Sequence, residues 1–361
     1  MTGAVRALGL IGLLMGAAPA AAQSPRLYVT NQDDATVSIL DPVTRRVIET
    51  LDLRQLGFAD NARPHHAQVE ADGRFWYVTL IGAGKVLKLD RANRVVGSVD
   101  LEVPGLMALH PTRDLLVVAR SMSAVNPPRR VALVRRSDMT LLEEYEVVFP
   151  RPHALVVDPR GEYVYVGSLG ENQLASIRLE DGETRIVTVD GPPLTLVQFA
   201  VSADARWLAA TAQTGNALLI FDIADPAAPR LAHRIPMNKG PFEPAFTYGG
   251  DRLFVTNLDA NTVSVVHPGT WQVERVIEHP GLGQPHGVGL SPDGQWLFVS
   301  NRHQAGGAHD HEGHKALAKG TVAAICIATA TVDTVLEVGN YAAGIGTPVP
   351  AARPANPQPC R

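Results

Sequence analysis

Thiols are nearly absent from this chain. Of its 361 residues only Cys326 and Cys360 are cysteine, and neither CxxC nor CxxCH occurs. That excludes covalent c-type haem and a thiolate zinc site. In an oxidising compartment the two could close a disulfide with each other. Positive charge is also short: the formal net charge is −4, so there is no electrostatic footprint for nucleic acid. Aromatics make up 6% of the sequence. Past the N-terminus no apolar run approaches membrane-spanning length, and no helical period is sustained over three turns. Catalytic signatures are missing as well. There is no GxSxG elbow. "GAGK" at 82–85 lacks the first glycine of a phosphate loop and continues into Val86 where Ser or Thr is needed, so it reads as a hairpin turn.

What is present begins with a targeting segment. "MTGAVRALGLIGLLMGAAPAAAQ" carries Arg6, then an apolar stretch, then small residues at Ala20 and Ala22. This predicts a signal peptide over 1–22, cleaved after Ala22, and a periplasmic or secreted protein. The apolar run is short for a membrane anchor, and no cysteine stands at the junction to carry a lipid. A Pro-rich tail occupies 351–361.

Between these ends the chain repeats. "LYVTN" begins at Leu27, "WYVTL" at Trp76, "LVVAR" at Leu116, "VYVGS" at Val164, "LAATA" at Leu208, "LFVTN" at Leu253 and "LFVSN" at Leu297, with gaps of 49, 40, 48, 44, 45 and 44 residues. Self-similarity at this period is the signature of propeller blades. Each unit, here called blades A to G, reads as four short strands between Gly, Pro, Asn and Asp turns. The copy at Leu27 lacks a first strand, whereas "YAAGIGTPV" at 341–349 is a first strand without a blade. The expectation is an all-β, seven-bladed β-propeller over 23–350, its ring closed by pairing of 341–349 with the strand at 26–31.

"YVTN" at 28–31 followed by "TVSILD" resembles the YVTN-repeat, YncE-like β-propellers, and more distantly the propellers of periplasmic nitrite and nitrous-oxide reductases. The resemblance spans nearly the whole mature chain. It implies that the first strand of each blade is innermost and lines a central channel. It says little about function, because one fold hosts many activities.

Three first strands open alike: "RPHH" at 63–66, "RPHA" at 151–154 and "QPHG" at 284–287. His65, His153 and His286 each stand eight residues before a turn glycine, at Gly73, Gly161 and Gly294. They are therefore equivalent positions in blades B, D and G, converging on one mouth of one channel. Antiparallel neighbours put the start of strand 1 and the end of strand 2 on that same face. The face also receives a long insertion, "NRHQAGGAHDHEGHK", with His303, His309, His311 and His314. The loop is either a cover for the site or a solvated loop. "HDHEGH" misses the HExxH spacing by one residue.

Two chemistries stay open for this face. Neutral imidazoles could share a copper or zinc ion, with affinity falling as pH drops through about 6.5. Alternatively, histidines with Arg63 and Arg151 could hold an anion or cofactor by charge-assisted hydrogen bonds. The leading expectation is an exported, monomeric binding protein for a transition metal or a metal-bearing periplasmic partner. The alternatives are a cofactor-handling or enzymatic propeller of oxidoreductase or lactonase type using the same face, and an interaction scaffold. His110 is expected to be packed, Asn31, Asn257 and Asn301 to cap turns, and Arg120, Arg129 and Arg130 to form a solvated rim.

Overall fold

Periodic β-branched runs broken by turn residues dictate short strands, and strands hydrophobic on both faces must be covered on both. The computed structural model describes residues 24–121, 126–303, 319–350 and Cys360. Among these, the strands form seven four-stranded antiparallel sheets. Blade B shows the pattern: Pro64–Val69, Phe75–Leu80, Lys85–Asp90 and Val95–Asp100, each pairing with the next. The second and third strands are almost wholly buried, while the fourth is largely exposed. The predicted signal peptide, most of the tail and the histidines at 309, 311 and 314 lie outside the described residues.

The core is divided by blade boundary. Seven apolar clusters each straddle one pair of neighbouring blades, and the last joins blade G to blade A. That one sets Trp296, Phe298 and Val322 against Leu27, Val29 and Ile345. No blade has a core of its own, so the ring is the cooperative unit. Closure follows the sequence expectation: Ala342–Gly346 pairs with Leu27–Asn31 as the inner strand of blade A. Past it, Pro348 bridges to Val69 of blade B, and Cys360 is disulfide-bonded to Cys326 of blade G.

Inner strands touch one another around the ring, so they do line the channel. Each has an irregularity in its pairing after the first residue or two, as between Pro64 and Ala67, Pro241 and Pro244, or Pro285 and Val288. The residue before each inner strand is left-handed in all seven blades: Arg63, Val103, Arg151, Thr195, Gly240, Gln284 and Tyr341, with φ between 43° and 67°. Only one is glycine, so this turn costs on the order of 1 kcal/mol at most of its seven occurrences. Its purpose is visible in the hydrogen bonds. The carbonyl of the left-handed residue accepts from the N–H that follows strand 2, as in Arg302 to Gln284 and Gln32 to Tyr341. The exit of strand 2 is thereby fastened beside the entry of strand 1.

Several expectations resolve here. "GAGK" lies in the turn between Phe75–Leu80 and Lys85–Asp90. His110 falls just after the strand Pro104–Leu109 and is packed as expected. It is buried with both ring nitrogens engaged, by the Gly161 carbonyl and by the Thr112 and Arg113 amides. Asn31 and Asn257 do not cap turns: each amide donates to two hydroxyls of the third strand, Thr36 and Ser38, or Thr262 and Ser264. Arg120 and Arg130 share Glu144 in an ion network on the rim.

Candidate functional site at the channel mouth

Strand register fixes which side chains share a level. Pro64, Pro152 and Pro285 each face the last residue of their own second strand, Leu80, Ser168 and Asn301. His65, His153 and His286 are one residue further in and therefore occupy one level. The other blades place Ala343, Gly105, Val197 and Phe242 there. Gly105 lies between the two histidine-bearing strands of blades B and D. Lacking a side chain, it lets the rings of His65 and His153 approach to 5.9 Å between centroids.

Each ring has one nitrogen engaged. Nδ1 of His65 meets the Gln32 side-chain oxygen at 3.1 Å, and Nδ1 of His153 meets the Val197 carbonyl at 2.8 Å. His286 is within hydrogen-bonding reach of the Ala343 backbone. A carbonyl can only accept, so His153 carries its proton on Nδ1 and keeps the Nε2 lone pair. Nε2 of His65 and Nδ1 of His286 are buried without a partner. All three rings are about 4% exposed, and burial holds them neutral. The His153 pKa is lowered to about 4, and those of His65 and His286 fall well below the usual histidine range.

Neighbouring charges add to burial, among them Arg151 at His153 and, at all three rings, a cation that composition and spacing had not singled out. Arg302 acts on all three histidines. It is 7% exposed, and its Nε has no hydrogen-bond partner. Its guanidinium lies 4.2 Å from the Tyr341 ring centroid and 5.4 Å from that of Phe242. Phe242 in turn packs on His286, with centroids 4.1 Å apart. Arg302 and Gln32 occupy the same place in their blades, directly after the second strand. Aligning that position across the repeats gives Gln32, Ile81, Ser121, Leu169, Gln213, Leu258 and Arg302. One charged residue in seven is the signal that would have revealed it. Leu169 and Leu258 of this set join Val197 and Phe242 in an apolar sector. The mouth is thus divided into a polar, cationic side and an apolar side.

One residue deeper lie His66, Gln198 and Glu243. His66 Nδ1 accepts from the Met107 amide at 3.3 Å, and burial lowers its pKa to about 3. Gln198 Nε2 donates to the Glu243 carboxyl at 3.3 Å. Burial raises Glu243 to about 8, against the lowering effect of hydrogen bonds from the Val288 backbone and Gln198.

The remaining sequence candidates are distributed differently. Arg63 is partly exposed, its guanidinium 3.8 Å from Asp33. Arg151 is half-buried with an unpartnered Nε. His303 bonds Thr321 at 2.8 Å within its own blade and packs over Gly283. Among the described residues, no group of three or more His, Cys, Asp or Glu side chains is arranged as it stands to hold a metal ion.

No protein-family model and no curated protein matches the chain. Solved structures do. A functionally unknown protein from Desulfotomaculum acetoxidans is similar over 91% of this chain and 100% of its own, with 13% identity and a TM-score of 0.74. A chain of hydrazine synthase from Kuenenia stuttgartiensis is similar over 72% of this chain and 76% of its own, with 20% identity and a TM-score of 0.57. At these identities the likeness is one of fold.

Proposed function

We propose that the chain is an exported binding protein whose ligand site is the channel mouth, and that the ligand is a small organic anion. The observation that carries this reading is Arg302, a buried cation with an unpartnered Nε, set among three imidazoles that are kept neutral. A desolvated guanidinium favours an anion strongly, and each neighbouring imidazole can donate to it once it has taken up a second proton. The apolar sector at Val197 and Phe242 suits a ligand with an apolar face. An anion also offsets the cost of protonating the ring histidines, so binding takes up protons and strengthens as pH falls.

A second reading has its own support. One nitrogen of each ring is held by an acceptor while the other is open, the arrangement that orients histidine for copper or zinc. Against it stands Arg302, which repels a dication as it repels a proton. The histidine shifts also move the pH window for metal binding below the ordinary value near 6.5, toward the value of about 4 for His153.

One substitution separates the two. Calorimetric titration with benzoate, and with benzyl alcohol as its neutral counterpart, should show binding of the anion alone. Affinity should rise from pH 8 to pH 6 and fall at least tenfold in Arg302→Gln. If benzoate, acetate, oxalate and phosphate all fail to bind, while Cu(II) or Zn(II) binds and does so more tightly in Arg302→Gln, the metal reading replaces this one.

A further inference from the structure

On the opposite face, where the first strands end and the second begin, blades A and B flank an open groove of about 1000 Å³. That is ample for a small molecule. Its lining is unusually cationic for a chain of net charge −4: Arg26, Arg74, Arg91 and Arg94 stand against Asp41 and Asp90. Two of these arginines are neutralised locally, Arg74 by Asp72 and Arg94 by Asp90. Arg26 and Arg91 are not. Among the described residues neither has a carboxylate partner. Arg26 Nη1 donates to the Arg91 carbonyl at 2.8 Å, and Arg91 Nη2 donates to the Ser24 carbonyl. Burial, and then the like charge of Arg26, disfavour the charged form of Arg91.

Behind them is a third donor. Tyr28 is 1% exposed and stacked on Trp76 at 4.3 Å. Arg26 and Arg91 both act on its hydroxyl electrostatically, and Arg26 approaches it closely. The hydroxyl oxygen lies within hydrogen-bonding reach of Arg26, but the hydroxyl donates to no acceptor among the described residues. Two guanidiniums without carboxylates, backed by a buried hydroxyl that donates to nothing, face a position where negative charge is missing. The rest of the groove is apolar. Phe75, Ile48 and Val96 line it, and Ile48 and Val96 are about half exposed, at 48% and 50%.

We infer that this groove is a second ligand site, separate from the channel mouth, which takes a small amphiphilic anion. Its anionic head would lie between Arg26 and Arg91, and its hydrocarbon body along Ile48 and Val96. Both ends are required by the lining. A bare inorganic anion would leave the apolar wall wet, and an uncharged amphiphile would leave the guanidiniums unanswered.

The probe is dodecyl phosphate, titrated below its micelle concentration into the purified protein and followed by calorimetry, with dodecanol and inorganic phosphate as controls. Saturable binding of dodecyl phosphate at one site, at least tenfold tighter than either control, is the expected result. Arg91→Ala and Arg26→Ala should each weaken it tenfold or more. Because both arginines also fasten Ser24–Arg26, Val96→Asp is the second arm. It leaves the guanidiniums intact, alters an exposed outer-strand position, and should abolish binding without changing the melting temperature appreciably. Arg302→Gln should leave dodecyl phosphate binding unchanged. Equal binding of dodecanol, or unaltered binding in both Arg91→Ala and Val96→Asp, would overturn the proposal. Binding lost in Arg302→Gln but kept in Arg91→Ala would place the amphiphile at the channel mouth instead.

Discussion

Glu243 and His153 hold unusual protonation states in the same channel, and burial moves their titrations in opposite directions. Glu243 has a folded pKa raised to about 8 from an ordinary value of 4.5. The unfolded chain therefore releases this proton near pH 4.5, while the folded chain keeps it up to about 8. Stability from this group is full below 4.5 and is lost as pH rises through that window, on the order of 2 kcal/mol between pH 6 and pH 8. His153 is lowered to about 4 from 6.5. There the unfolded chain takes up the proton first, so stability is full above 6.5 and is lost as pH falls toward 4. Because His65, His66 and His286 are lowered in the same direction as His153, the sum predicts a stability maximum at about pH 6.5, with a limb on each side. Glu243→Gln preserves shape and an acceptor for the Val288 amide but cannot ionise. Thermal melts of this variant should lose the decline of a few degrees that the parent shows from pH 6 to pH 8 and keep the acid limb. An unchanged alkaline limb would mean that Glu243 is not its source.

Repeated elements bring these residues together, and a hydroxyl in the second strand is the main connector. Thr256 Oγ1 accepts from the Glu243 amide at 2.9 Å and donates to the His286 carbonyl in the next blade at 3.1 Å. Thr30 relates Gly344 to His65 in the same way, at 2.9 and 3.0 Å. Thr256→Val should leave a buried amide and a buried carbonyl unpaired and cost about 1–3 kcal/mol. It should also weaken ligand binding at the mouth, since it releases His286. Thr256→Ser, which copies the natural Ser300 of blade G, should be nearly neutral on both measures. Equal effects of Val and Ser would show that packing rather than the hydroxyl matters. The threonine belongs to the "YVTN" motif, which in the sequence marks fold and not site, and the asparagine beside it sits where a turn cap is expected. Strands, blade number and closure were legible because alternation and a constant period are local signals. Equivalence of the three histidines was legible because the inner strands of blades B, D and G keep the same eight-residue spacing from the histidine to the following glycine. Arg302 and Gln32 were not. Their nearness to the histidines depends on a left-handed turn that joins two strand ends more than fifteen residues apart in sequence, and turn handedness at Arg63, Gln284 or Tyr341 has no glycine to announce it.

Closure of the ring is a property of the whole molecule, and two distinct ties maintain it. The first is the inner strand of blade A. Ala342–Gly346 pairs with Leu27–Asn31, supplies Ile345 and Ala342 to the apolar wall against blade G, and is joined at its entry by two hydrogen bonds that Asn340 donates to the Asp34 carboxylate. The second is the Cys326–Cys360 disulfide, which spans 34 residues of sequence and anchors the far end of the tail to blade G. They should fail differently. Removing 341–361 deletes a strand from a four-stranded sheet and exposes Leu27 and Val29, which are fully buried. The neighbouring clusters of blades G and B lose a wall at the same time, so gross loss of cooperative folding is expected. Removing 351–361 leaves every strand in place and deletes only the tether. A covalent loop of this length contributes about 4 kcal/mol through the unfolded chain. That truncation, the Cys326→Ser and Cys360→Ser double variant, and reduction of the parent should therefore lower the melting temperature by similar, moderate amounts. Mass analysis of the non-reduced protein should find no free thiol. If the short truncation proves as damaging as the long one, the tail holds the inner strand rather than merely following it. If reduction has no effect on the melt, the inner strand alone keeps the ring closed.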